Sequence, residues 1–373
     1  MNPALPEKTV ERAAAAAERM PLIDALKGVA AQLILVHHLV SYGPLAEAAH
    51  RLLPALSAWL YDYGRMAVQV FLVVAGFLAA RALAPDGAPL AVRPLSLLWR
   101  RYARLAPPFL ASILLAVAAA AVARGSVAGD MVPEAPTLMQ LLAYVFFLHS
   151  LLGVPSLSTG VWYVPVDLQL YAILVGLFWL CGRAGERRRR GVASGLVALL
   201  ALASLFLFNL DAGLDNWGVY FFYAYALGVF AWWLSNRERS PWWLLPLAIV
   251  VVIALLTDFR LRVALALAVA LLLALARRQG WLQRWPDSAL LGYLGRISFS
   301  VFLVHFPVFM LISAVYARLA PAGDAAAVLA LLGAWGSAIL AGVLFFRYVE
   351  SRQRWLPAGL VAGLRTAFSA GRR

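Results

Sequence analysis

Apolar runs of roughly 17–25 residues recur along the chain from near residue 22 to near residue 346, punctuated by short charged or proline-containing breaks. Eleven stand out, over 22–43, 62–83, 105–123, 138–153, 162–181, 191–209, 217–235, 242–257, 261–277, 291–316 and 324–346. Most are long enough to cross a bilayer as a helix rising 1.5 Å per residue. They leave no room for a soluble domain of useful size, and no internal repeat is evident. The pattern predicts an all-α integral membrane protein. It divides into a cytoplasmic N-terminal segment over 1–20, a transmembrane domain over 21–350 and a basic cytoplasmic tail over 351–373.

The breaks set the expected orientation, because Lys and Arg collect on the cytoplasmic side. "RPLSLLWRRYARLAPP", "RAGERRRRG", "NRERS", "RRQGWLQRW" and "RYVESRQRW" are basic and are expected inside, whereas "NLDAGLDNW" at 209–217 carries two acids and is expected outside. With the N-terminus inside, the third run ends outside near Gly125, and the run at 162–181 must start outside. Both hold only if 138–153 does not cross, so it is expected to be re-entrant or partly buried. Such elements survive in a bilayer only when packed in protein or lining a cavity. The expected fold is therefore about ten transmembrane helices plus one re-entrant helix, with both termini cytoplasmic.

Composition agrees. Of 373 residues, 63% are hydrophobic and 13% charged, against about 45–50% and about 25% in soluble domains, and mean hydropathy is +0.81. The net charge of +14 lies in arginine clusters between apolar runs, so it reads as topology and no nucleic-acid partner is expected. The single cysteine, Cys181, allows no intramolecular disulfide and no Cys-based metal site, and no metal is expected. The opening "MNPALPEKTVERAAAAAERMP" has mixed charges and lacks the apolar core of a signal peptide.

Ionisable groups inside apolar runs are costly and mark candidate chemistry. Lys27 and His38 stand eleven residues apart in the first run, three turns plus about 20°, so they share one helix face roughly 16 Å apart. His37 points about 100° away. A His bonded to a backbone carbonyl and a snorkelling Lys would be the structural account of that pair. Asp167 sits about five residues into a run entered from outside, with Gln169 and Tyr171 nearby. His305 lies mid-run ahead of Pro307, whose missing N–H frees a carbonyl that the imidazole could use. Arg100, Arg101 and Arg104 are expected to open the third helix at the cytoplasmic face, where Pro107 and Pro108 would fix its start. Guanidinium groups so placed suit phosphate.

Together these stretches resemble the acyltransferase 3 family of multi-pass membrane acyltransferases. The resemblance rests on Lys27 and His38, with Lys where the family usually has Arg, on Ala75, Gly76 and Phe77 in "VQVFLVVAGFLAA", and on Arg101, Arg104 and Pro107. It continues through Trp162, Asp167 and Tyr171 in "WYVPVDLQLY", where Asp replaces the family's Glu, and through Ser298, Leu303, His305 and Pro307. The ordered set spans residues 22–310, and its departures suggest a divergent subgroup.

The resemblance implies transfer of an acyl group, commonly acetyl, from cytoplasmic acyl-CoA to a hydroxyl of a carbohydrate or lipid-linked glycan. The setting would be a bacterial-type inner membrane, with acyl-CoA as co-substrate and no permanently bound cofactor. Lys27, Arg100, Arg101 and Arg104 would hold the acyl donor. His38 would act as general base or acyl carrier, with Asp167 orienting it, and Trp162, Tyr171 and His305 would line the acceptor pocket. A proton-coupled secondary transporter would use the same His and Asp groups as a relay, but it predicts an inverted repeat and no CoA site. A polyprenyl-dependent glycosyltransferase would call for acidic residues in the loop near 44–61, where Glu47 stands alone.

Overall fold

The computed structural model of the protein describes residues 19–89, 93–127, 131–182, 185, 188–238, 240–319 and 323–352. The expected lead-in up to residue 18, the tail from residue 353 and part of the basic loop after Cys181 lie outside the described residues. Among the described residues all regular structure is helical. In chain order the α-helices are α1 (Pro21–Leu39), α2 (Gly43–Leu52), α3 (Pro54–Tyr63), α4 (Val68–Leu83), α5 (Pro94–Ala123), α6 (Leu138–Val145) and α7 (Tyr163–Cys181). They continue as α8 (Arg189–Phe206), α9 (Gly218–Leu234), α10 (Leu244–Thr257), α11 (Leu261–Gln279), α12 (Ala289–Leu319) and α13 (Asp324–Tyr348). Among the described residues seven helical stretches are long and apolar enough to cross a membrane, and two shorter apolar helices, Gly218–Leu234 and Pro241–Thr257, accompany them. This is the architecture of a multi-pass membrane protein.

Two elements differ from the sequence expectation, and a third agrees with it. The third run is longer than its apolar core: α5 begins at Pro94, and Pro107 and Pro108 lie inside it rather than at its start. Membrane helices tolerate proline where surrounding groups satisfy the freed carbonyls, and Pro94, at the first turn, has no helical partner to lose. Arg100, Arg101 and Arg104 consequently sit two to three turns into the helix rather than at its mouth. The segment expected as a loop at 44–61 is folded into α2 and α3. In the 138–153 run only α6 is regular, and its eight residues are far too few to cross. Thr137 and Gln140 form a capping box at its start, each side chain bonding the other's backbone N–H.

The helices pack in two groups. In one, α12 lies against α1, α5 and α13; in the other, α9 lies against α4, α7, α8 and α11. Small residues permit the closest crossings, as expected where apolar burial alone does not drive helix association. A Cβ on Gly76 of α4 would collide with the Tyr225 carbonyl of α9, and one on Gly228 of α9 with the Val73 carbonyl of α4. A Cβ on Gly295 of α12 would collide with the Asp24 carbonyl of α1, and one on Gly28 of α1 would stand 3.0 Å from Gly295 N. That contact sets α1 and α12 side by side in the same direction and brings His38 level with His305. A cavity of about 590 Å³ occupies the seam, lined from α1, α4, α5, α7, α12 and the segment after α13.

Candidate active site

Two histidines that end the polar face of α1 have different partners. His37 Nδ1 bonds the Leu60 carbonyl at 3.0 Å, and Gly64 packs against its Cβ. His38 Nδ1 instead meets His305 Nε2 at 2.7 Å, with the two rings only 4° from coplanar. His305 Nδ1 lies 3.1 Å from the Val301 carbonyl, one turn back in α12. A carbonyl only accepts, so Nδ1 of His305 must carry the proton and its Nε2 the lone pair. His38 Nδ1 then donates to that lone pair, and the proton-free nitrogen of His38 is Nε2. The tautomers follow from the bonding network. Among the described residues Nε2 has no hydrogen-bond partner. The carbonyl freed by Pro307 belongs to Leu303, so His305 uses a different one from that expected.

The seam cavity begins at the N-terminal end of α1. Lys27 lines it but is paired with Asp24 one turn earlier, at 3.1 Å. Asp24 sits in the first turn of α1, where a carboxylate is favoured by the helix dipole. Arg104 and Arg296 line the same chamber, as does Glu350, which accepts from Ser300 Oγ at 2.5 Å. Arg100 is exposed and does not line it.

Midway along, Arg101 and Asp167 form a forked pair. Arg101 Nη2 reaches Oδ1 at 2.7 Å and Oδ2 at 2.6 Å, and Nε reaches Oδ2 at 3.1 Å. The guanidinium also lies over the Tyr171 ring, 5.2 Å from its centroid. Asp167, expected to orient His38, is committed to Arg101 instead, and the group bonded to His38 is His305. Arg101, expected to meet donor phosphate, spends its planar face on that carboxylate.

Beyond this pair the cavity ends at three rings, Phe71, Tyr163 and Phe302, with centroids 5.8–6.5 Å apart. Phe302 in turn lies 6.2 Å from the His305 ring. His38 does not line the cavity and is reached from Phe302 through His305. It is covered by Gly160, whose φ of +89° belongs to a residue without a side chain. A Cβ on Gly160 would stand 3.0 Å from His38 Cε1. Trp162, expected in the same pocket, faces a separate cavity beside Phe221.

The three rings, Arg296 and Glu350 escaped the sequence reading. An aromatic on an apolar helix carries no distinguishing signal, and the two charges were indistinguishable from topology signals.

The architecture so assembled has a counterpart among known families: a family model described as an acyltransferase domain matches residues 21–349. No curated protein and no solved structure matches the chain.

Proposed function

We propose that this protein, which belongs to the acyltransferase 3 family of membrane acyltransferases, moves an acyl group from acyl-CoA to a hydroxyl of a carbohydrate or lipid-linked glycan. The observation that carries this reading is the chain of bonds from Val301 through His305 to His38. It leaves one unprotonated imidazole nitrogen just past the end of a cavity lined by four basic groups and three carboxylates.

The acyl donor enters at the Lys27 end. Its phosphates meet Arg104, Arg296 and Lys27, and its thioester arm runs past the Arg101–Asp167 pair toward the rings. His38 Nε2 takes the proton of the acceptor hydroxyl as its oxygen attacks the thioester carbon. The new C–O bond forms, the C–S bond breaks, and the coenzyme thiolate leaves, recovering the proton from His38. His305 holds the ring orientation and shares the transient positive charge, the part that a carboxylate plays in other triads. Arg101 and Asp167 stiffen the passage.

Ten crossings with α6 outside the count, both termini cytoplasmic, and an inner-membrane location go with this proposal. So does a transmembrane acyltransferase domain over 21–350. The parallel course of α1 and α12, first and ninth of the ten, and the shortness of α6 support them.

Incubating the purified protein with radiolabelled acetyl-CoA and cell-envelope glycan tests the reaction. Label should pass to the glycan, and none should pass with His38→Ala. Arg104→Ala and Arg296→Ala should each raise KM for acetyl-CoA about tenfold or more, the loss of a charge-assisted contact. Wild-type protein that neither binds acetyl-CoA nor labels any glycan would sink the proposal.

A further inference from the structure

A second cavity, of about 420 Å³, opens where α7 and α9 begin. Its walls combine three kinds of group. Trp162 and Phe221 lie near-parallel, 24° apart with centroids at 5.5 Å, as an aromatic wall. Asp215 and Asn216 supply an exposed carboxylate and amide at the rim. Their loop is anchored by Gln169, which bonds the Asn216 carbonyl at 3.4 Å and the Gly218 N–H at 2.7 Å.

The third kind is His149. It is 3% exposed, lies flat on Tyr144 with ring centroids 3.9 Å apart, and finds no hydrogen-bond partner for either ring nitrogen. Buried polar atoms are nearly always satisfied, and leaving them bare is costly. Both nitrogens of His149 are bare, and His149 lines this cavity.

We propose that this cavity is the acceptor's sugar subsite and that it selects a neutral pyranose over a uronic acid. A pyranose has an apolar C–H face that an aromatic wall covers, and a rim of hydroxyls that both donate and accept. Asp215 accepts from such hydroxyls, Asn216 does both, and His149 offers one donor and one acceptor. No Lys or Arg is among the described residues lining the cavity, so a sugar carboxylate would face Asp215 uncompensated. The subsite adjoins the chemistry: Trp162 is two residues from Gly160, at most about 7 Å of chain, and Gly160 packs on His38. In the proposed reaction a ring seated against Trp162 extends a hydroxyl past Gly160 toward the imidazole.

The inference rests on the acyltransferase reading for calling the bound sugar an acceptor, but its binding chemistry is tested separately. Purified full-length protein in lipid nanodiscs is probed by saturation-transfer NMR with methyl glucoside, methyl galactoside and methyl glucuronide. At least one neutral glycoside should bind, with the glucuronide weaker by about tenfold or more. Asp215→Asn, an exposed and fold-neutral change, should weaken neutral binding several-fold and narrow the gap to the glucuronide. His149→Phe should weaken binding while keeping the stack on Tyr144. Failure of wild-type protein to bind either neutral glycoside, glucuronide binding as tight as neutral binding, or wild-type affinities in both variants would overturn the subsite. Acetyl-CoA binding measured on the same samples judges the donor reading independently: its loss with sugar binding intact defeats that reading and leaves this one standing.

Discussion

The imidazoles of His38 and His305, 267 residues apart in the chain, meet nitrogen to nitrogen at 2.7 Å in one plane. The geometry separates three histidines by role. His38→Ala should remove transfer by 10²–10⁴-fold or more, the usual span for a general base, while the protein still binds acetyl-CoA. His305→Phe should lower kcat with KM for the donor unchanged, because it unseats the proton on His38 Nδ1 without touching the cavity. His37→Ala should act through stability, read as a lower unfolding midpoint with residual activity. A stable, inactive His37 variant beside an active His38 variant would reverse the assignment.

Arg101 and Asp167 should behave as one unit. Breaking a buried pair from one side leaves an uncompensated charge, which costs about 3–5 kcal/mol. Arg101→Ala and Asp167→Ala should each depress the unfolding midpoint in detergent, whereas the double change to Met and Leu should recover much of it. Single variants as stable as the parent but with a raised donor KM would return Arg101 to the role of phosphate ligand.

Gly160 offers a one-methyl test of the site. Alanine there meets both a positive φ and the edge of His38. Gly160→Ala should lower kcat while leaving acetyl-CoA affinity unchanged. An unaltered kcat would mean that the imidazole is not held by this turn.

Phe302 should set acyl length. Removing its ring deepens the end of the cavity, and each methylene then buried contributes about 0.8 kcal/mol. Phe302→Ala should therefore shift kcat/KM from acetyl-CoA toward butyryl-CoA by up to about tenfold. An unchanged preference would place the acyl terminus elsewhere.

The ends of α6 should share one side of the membrane. Glu134 and Ser156 flank it and are exposed. Cysteines at these two positions should both react with an impermeant reagent applied outside; reaction of only one would require 138–153 to cross.

Periodicity along single helices was enough to place Lys27 and His38 on one face and to separate His37 from them. It gave depth but not neighbours. Asp167 was placed about a turn and a half into α7, yet its partner came from α5, which starts eleven residues before its apolar core. The early start carries Arg101 to the same depth. His38 and His305 were each marked as buried imidazoles, but only the Gly28–Gly295 contact aligns α1 with α12 and makes them a pair. One missed feature had a readable sign: "TLMQ" at 137–140 is a capping-box sequence that starts a helix mid-run.

In the proposed reaction Phe71, Tyr163 and Phe302 would also divide the protein electrically. Two wet chambers joined end to end would form a column of water, and protons would run along it down whatever gradient the membrane holds. On the proposed plan the three rings interrupt that column, and the membrane voltage drops across them. Moving one charge through that voltage is worth about 2.3 kcal/mol per 100 mV. In the proposed reaction the anionic phosphates of the coenzyme stay in their own chamber, and only its uncharged thioester arm reaches between the rings to His38. Turnover on this plan is insensitive to membrane potential and leaves the ion gradient intact.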